Sequence, residues 1–329
     1  MKFSRLLISM SVISCALAIG SCSKNTNEIY IIPDKDNSSN NGGSNGNNGN
    51  DGSGSNQNQS LIHFTANMES VPTKALAAFP KGLYANIMAF PGTTNNLNSI
   101  APTTSNTYQS QTTGTLSPVS GSQMYLPNGS WSFVSVATNQ TSNKNPTFSS
   151  GVSSALVNGI DYMYWRVNNT TVDNSQLNVP ITYTHSCAQV IVKLQAGNGI
   201  TINSFNTATI TPSEPTGKMD ISTGVISPST ALSTTPANMA VNELVAQYTM
   251  LPLTFTGSMT TTFSLTINNE STARNYQVAV PVPNGSLTPG NSYVFSAVVN
   301  ANEITFTQVS VTDWVTVDET GKPLYPTQI

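Results

Sequence analysis

From residue 61 onward, apolar and polar side chains alternate along most of the chain. Ile62, Phe64, Ala66 and Met68 interleave with His63, Thr65 and Asn67, and Leu83, Ala85, Ile87 and Ala89 interleave with Tyr84, Asn86 and Met88. The same period of two returns in Phe263, Leu265 and Ile267, in the strict ladder Tyr276, Val278, Val280 and Val282, and in Tyr293 and Phe295. That period belongs to strands with one face buried and one face wet. Turn formers separate the runs, among them Pro127-Asn128-Gly129, Pro283-Asn284-Gly285 and Thr288-Pro289-Gly290-Asn291. Only Ser153–Val157 and Ala240–Tyr248 carry a pattern that suits a short helix. The expected fold is all-β, built as a β-sandwich.

Roughly 270 residues of this kind are generous for a single sandwich, so two in tandem are expected. The polar run from Asn168 to Ser175 precedes an apolar-rich stretch, Ile181 to Leu194, which reads as one long strand opening a second domain. The expected domains are residues 61–178 and 179–329. No short internal repeat is visible.

The N-terminal segment follows a different pattern. Lys2 and Arg5 precede an uncharged stretch from Leu6 to Ile19, too short to span a bilayer comfortably, which is the signature of a secretory signal peptide over residues 1–21. It ends in Ile19-Gly20-Ser21-Cys22, which looks like a bacterial lipobox and makes Cys22 the residue that takes the lipid. Cys15 suits that role less, because bulky Ile13 stands two positions before it. Acyl chains each contribute about 0.8 kcal/mol per buried methylene, so a multiply acylated terminus anchors stably. Residues 22–60 then form the lipidated N-terminus and a tether. Its Asn/Gly/Ser-rich part, from Asn37 onward, has nothing to bury and is expected to be a disordered stalk of roughly 25–30 Å reach.

Charged residues are only 8% of the chain, against about 25% in ordinary soluble domains, and the net charge is −3. Loss of Lys2 and Arg5 with the leader makes the remainder more acidic, a surface unsuited to nucleic acid. Of three cysteines, one leaves with the leader and one carries lipid. Cys187 is then alone, cannot form an internal disulfide, and reads as a small buried hydrophobe.

Two histidines offer little for a metal site or proton relay. His63 lies on the polar parity of its strand, and His185, which shares parity with Ile181, Tyr183 and Cys187, reads as a hydrogen-bonded structural residue. There is no phosphate-binding glycine loop, nucleophile elbow or calcium-loop spacing. The expectation is a non-enzyme without cofactor or metal. One cluster raises a binding hypothesis: Tyr162, Tyr164 and Trp165 lie beside Arg166, and exposed aromatic faces can hold sugars. Against that, Tyr162 and Tyr164 share one strand face and Met163, Trp165 and Val167 the other, so at least one set should be core.

Several motifs, in order, resemble the fimbrillins, the type V pilins of Bacteroidales and their Mfa-like relatives. These are the strand His185-Ser-Cys-Ala188-Gln-Val190, the loop Gly217-Lys-Met-Asp220 to Thr223-Gly224, Met250-Leu-Pro252, Pro289-Gly290-Asn-Ser-Tyr293-Val-Phe295, and Val309-Ser-Val-Thr-Asp-Trp314. Near the other end, Pro72-Thr-Lys74-Ala75 stands where such proteins often carry Thr-Arg-Ala. The resemblance covers roughly residues 61–320. It implies two transthyretin-like sandwich domains, export as an outer-membrane lipoprotein, and partnership with other fimbrial subunits by β-strand addition.

In that family a basic-residue-specific protease frees a groove that an incoming strand fills. Here the resemblance makes Lys74 and Ala75 the processing site, with lysine replacing arginine. The tail beyond Trp314 carries Pro323 and Pro326, each lacking an amide donor, so it is a poor donor strand. The expected function is therefore a structural subunit of surface fimbriae, of accessory or tip type, supporting adhesion. The alternative is a lipid-tethered module that binds surface glycans.

Overall fold

The structure, a computed structural model, describes residues 59–314 other than 70–75, 113, 120, 122, 174–175 and 230, together with the backbone of residues 30–31. The signal peptide, Cys22, most of the tether, Lys74, Ala75 and the tail 315–329 lie outside the described residues. Among the described residues there is no α-helix, and the sheets form barrel-like sandwiches.

The first sheet contains β1 (Gln59–Glu69), β2 (Leu76–Ala78), β3 (Tyr84–Pro91), β4 (Thr104–Ser110), β5 (Thr115–Pro118), β6 (Met124–Pro127), β7 (Gly129–Thr138), β8 (Tyr162–Val172) and β9 (Leu177–His185). Following the hydrogen bonds from β9 gives β8, β7, β3, β4, β5 and β1, and β1 then pairs in parallel with β9, closing a ring. The strand β1 begins two residues inside the segment read as tether. Gln59 and Ser60 pair with Pro127 and Leu126, and Ser60 is buried, so these two polar residues are held by the ladder.

The second sheet orders β17 (Arg274–Pro281), β16 (Ser258–Ile267), β11 (Ile202–Thr211), β14 (Ala237–Asn242), β15 (Val245–Met250), β10 (Ala188–Ala196), β18 (Asn291–Val299) and β19 (Ile304–Asp313). Its first strand, β10, also pairs in parallel with a late one, β18. A hairpin of β12 (Gly217–Met219) and β13 (Ile226–Pro228) stands apart from this sheet.

Sequence expectations change at three stretches. The stretch Ile181–Leu194 is not one strand. β9 belongs to the first sheet, where it needs β1 as its partner, and β10 starts the second, so the chain crosses between sheets at Ser186–Cys187 and not at 178/179. The helix considered over Ala240–Tyr248 is the hairpin β14–β15, turned through Glu243 at φ 51°. The other, at Ser153–Val157, is extended chain that bridges to Gly217 through Leu156.

Three apolar clusters hold the molecule. One fills the ring around Phe64, Phe133 and Tyr183, and a second fills the other sandwich around Phe263, Phe295 and Val190. The third lies between them, with Val134, Val136 and Tyr164 on one side and Met219, Leu251 and Trp314 on the other. In β1 the sequence alternation and the burial coincide: Ile62, Phe64, Ala66 and Met68 are at most 1% exposed. Phe64 meets Tyr108 and Phe133 edge-on, at ring separations of 5.3 and 5.9 Å. Replacement Phe64→Ala is therefore expected to destabilise the fold by about 3–5 kcal/mol in denaturant unfolding. Thr65→Ala, on the other face, should change it by less than about 1 kcal/mol.

Candidate functional site

The seat of β1 is the first candidate. On one edge, residues Ile62 to Met68 pair in parallel with Leu177 to Tyr183. On the other edge three short strands lie end to end: β6 covers Gln59–Ile62, β5 covers Phe64–Thr65 and β2 covers Asn67–Glu69. Gly114 completes this edge, its carbonyl accepting the Ala66 amide at 2.8 Å. A Cβ at Gly114 would lie 2.4 Å from the Ala66 carbonyl oxygen, so only glycine admits this approach. The strand thus sits in a slot with backbone partners on both sides and pockets for every second side chain. Lys74 and Ala75 fall between β1 and β2, in residues outside those described.

The aromatic cluster occupies a different place. Tyr162, Tyr164 and Trp165 are 3%, 8% and 7% exposed. Met163 and Trp165 point into the ring, whereas Tyr162 and Tyr164 join the third cluster against the second sandwich. Over Tyr162–Trp165 both faces of β8 are core, and the rings pack against protein on both sides. Burial pushes the Tyr162 and Tyr164 phenols above their ordinary values.

Around Tyr164 the two halves are clasped by the loop between β12 and β13. The Tyr164 hydroxyl donates to the Ile221 carbonyl at 2.8 Å. The Arg166 guanidinium donates to three backbone carbonyls: Thr94 and Asn95 of the first half, at 2.8 and 2.9 Å, and Ser222 of the second, at 2.5 Å. Asn98 donates to the Asp220 carboxylate at 2.7 Å, and the Leu97 amide donates to the Ser222 hydroxyl at 2.8 Å. Gly224, at φ +71°, presses on Tyr164, and a Cβ there would come within 2.3 Å of the ring. Sequence reasoning found this loop as a motif but could not show what it grips.

The connecting residues are equally fixed. His185 Nδ1 lies 2.7 Å from the buried Asp161 carboxylate, and its ring stacks on Trp314 at 4.3 Å with 5° between planes. Cys187 is fully buried, and burial first, then the Asp161 charge, push its thiol well above its ordinary value. It is the small hydrophobe the sequence suggested. His63 is half-buried on β1. Among the described residues no three His, Cys, Asp or Glu side chains gather to hold a metal. A cleft of about 510 Å³ opens beside the clasp, walled by Met88, Phe90, Ile100, Phe148 and Ile221, with no charged side chain on its lining.

Burial by itself raises the Asp220 carboxyl, but hydrogen bonds from Asn98, Thr223 and Ser222 outweigh it and hold the group below its ordinary 3.8. A depressed carboxylate contributes stability that is complete above its unfolded value and is lost as pH falls through the folded one. The difference in unfolding midpoint between wild type and Asp220→Asn is therefore expected to be constant from neutral pH down to about 4, and to shrink below that. Gly224→Ala, which combines a left-handed backbone with the ring collision, should lower the midpoint at every pH.

The chain matches the model of a family described as fimbrillin-like over residues 73–314. Solved structures are similar to it in fold. A candidate cell adhesion protein from Bacteroides ovatus is 17% identical with a TM-score of 0.59, over 78% of this chain and 99% of that one. One from Bacteroides uniformis is 16% identical with a TM-score of 0.58, over 78% and 99%. A third, from Bacteroides fragilis, is 14% identical with a TM-score of 0.57, over 78% and 98%. No curated protein matches the chain.

Proposed function

We propose that this chain, which belongs to the fimbrillin-like family, is a cell-surface fimbrial subunit that joins its neighbour by strand exchange at the seat of β1. The observation that carries this reading is the slot itself. β1 has backbone partners on both edges and buries Ile62, Phe64, Ala66 and Met68. It also precedes a basic residue, Lys74, in the connection to β2.

Cleavage after Lys74 frees β1 to leave. An empty slot is costly. Each of Ile62, Phe64 and Met68 contributes roughly 1.5–3 kcal/mol by burial, and the unpaired amides and carbonyls of β9 add to the deficit. A strand from another subunit that supplies alternating apolar side chains and main-chain partners regains that free energy, which is the physics of β-augmentation. Cleavage thereby converts a self-satisfied subunit into an acceptor.

The rest of the reading rests on the N- and C-terminal segments. Lipid on Cys22 and the Asn/Gly/Ser tether hold the subunit at the outer membrane, facing outward, until processing releases it. Pro323 and Pro326 remove amide donors from the tail, which favours an accessory or tip position over one in the shaft. The work is done by strand edges and not by reactive side chains.

Two measurements test this. Mass spectrometry of the mature protein from its native cells is expected to find Ala75 as the first residue, and an acylated Cys22 at the head of an uncut chain would contradict the proposal. Lys74→Glu, which removes the cleavable residue without touching the slot, should leave the subunit folded but absent from fibres. Normal incorporation of that variant would rule the site out.

A further inference from the structure

The two end strands of the second sheet meet solvent differently. β17 starts at Arg274, whose guanidinium pairs with Glu270 at 2.5 Å and also reaches the Ala301 carbonyl, and it finishes at Pro281 with Pro283 beyond. Charge and proline are two of the means by which proteins blunt an exposed sheet edge. β19 lacks both until Asp313, its last residue. It pairs with β18 along one side, and among the described residues no strand covers the other. The first sheet closes on itself and presents no comparable long edge.

Along β19 the side chains change role. Ile304 is buried and Phe306 packs against the core, and then a bulge interrupts the ladder opposite Ser296 and Ala297. Beyond it, Gln308 to Asp313 pair without interruption with Ser296 to Asn291, while Val309 and Val311 stand 38% and 47% exposed. Two β-branched apolar residues, two positions apart on the wet face of an unprotected edge, need a physical reason, because such an edge invites association.

We propose that this edge pairs with the same edge of a second copy, antiparallel, about a two-fold axis through Ser310. Residues equidistant from Ser310 then face one another. Val309 lies opposite the second copy's Val311, and Val311 lies opposite its Val309. Gln308 meets Thr312, and Thr307 meets Asp313. Directly opposed residues share a face with Cβ atoms about 4.5–5.5 Å apart, so the exposed valines bury each other in two cross-strand pairs. No like charges meet in this register, whereas an in-register parallel arrangement would set Asp313 against Asp313. The contact is isologous and closes at two copies. The i, i+2 spacing of the valines is what such a two-fold demands. None of these residues belongs to the seat of β1, so the contact is independent of N-terminal processing.

A patch this narrow lies below the ~1,200 Å² of stable complexes and associates weakly in solution, so trapping is the suitable test. In the full chain, Ser310→Cys places two thiols opposite each other at a spacing a disulfide spans. Thr305→Cys, also exposed on β19, leaves its pair roughly 34 Å apart in this register. Under mild oxidation, Ser310→Cys is expected to give covalent dimer at least about tenfold faster than Thr305→Cys, with the unsubstituted chain and its native cysteines setting the background. Adding Val309→Lys and Val311→Lys to Ser310→Cys should return the rate to background, with the near-UV spectrum of the fold retained. Equal rates for the two cysteine variants, or a lysine-bearing variant that still cross-links at full rate, would overturn the proposal.

Discussion

The parallel ladder between Ile62–Met68 and Leu177–Tyr183 closes the first sheet into a ring, and the rest of the molecule is arranged around that closure. A buried strand must have its amides and carbonyls paired, because a polar backbone group left dry and alone is expensive. β1 meets that requirement with β9 on one side and three short strands on the other. β9, the parallel partner of β1, leads directly into the junction with the second half. The strand Gln59–Glu69 thus holds the place that a partner's strand is proposed to take.

The junction shows why such an exchange need not unravel the molecule. His185 is held by Asp161 and Trp314, and Arg166 and Tyr164 are bonded to the loop after β12. Tyr164 and Arg166 lie on the outer face of β8, and not on the face that points into the ring with Phe64. The ring core and the junction core are separate clusters that share the same strands, one on each face. Loss of β1 empties pockets in the first and leaves the contacts of the second in place.

That two-sided burial also explains which features were legible in the sequence. β1 alternates because one face is deep core and the other only half-buried, so Ile62 to Met68 could be read at once. Tyr162 and Tyr164 could not, because a second sandwich covers the face that a lone sheet would leave wet, and that cover comes from residues more than 50 positions away, such as Ile221. The passage from β9 to β10 was hidden for another reason. Ser186–Cys187 contains neither glycine nor proline, and the glycine that supports the corner is Gly290, which donates its amide to the Cys187 carbonyl from a distant loop. At Glu243 a left-handed residue that is neither glycine nor asparagine turns a hairpin where a helical pattern was conceivable. Local pattern therefore identified strands well and identified their neighbours poorly.

The central claim is that the slot of β1 holds its strand by non-covalent complementarity, so that one strand can replace another. Hydrogen exchange at the β9 amides from Leu177 to Tyr183 reads this most directly. The chain would be cut between Glu69 and Leu76 through an inserted protease site, and a synthetic peptide of the Gln59–Glu69 sequence supplied in excess. Protection of these amides should be retained while strand or peptide occupies the slot, and should fall when the strand is stripped away without peptide. Protection that stays unchanged after the strand is removed, or that the peptide does not restore, would contradict the account.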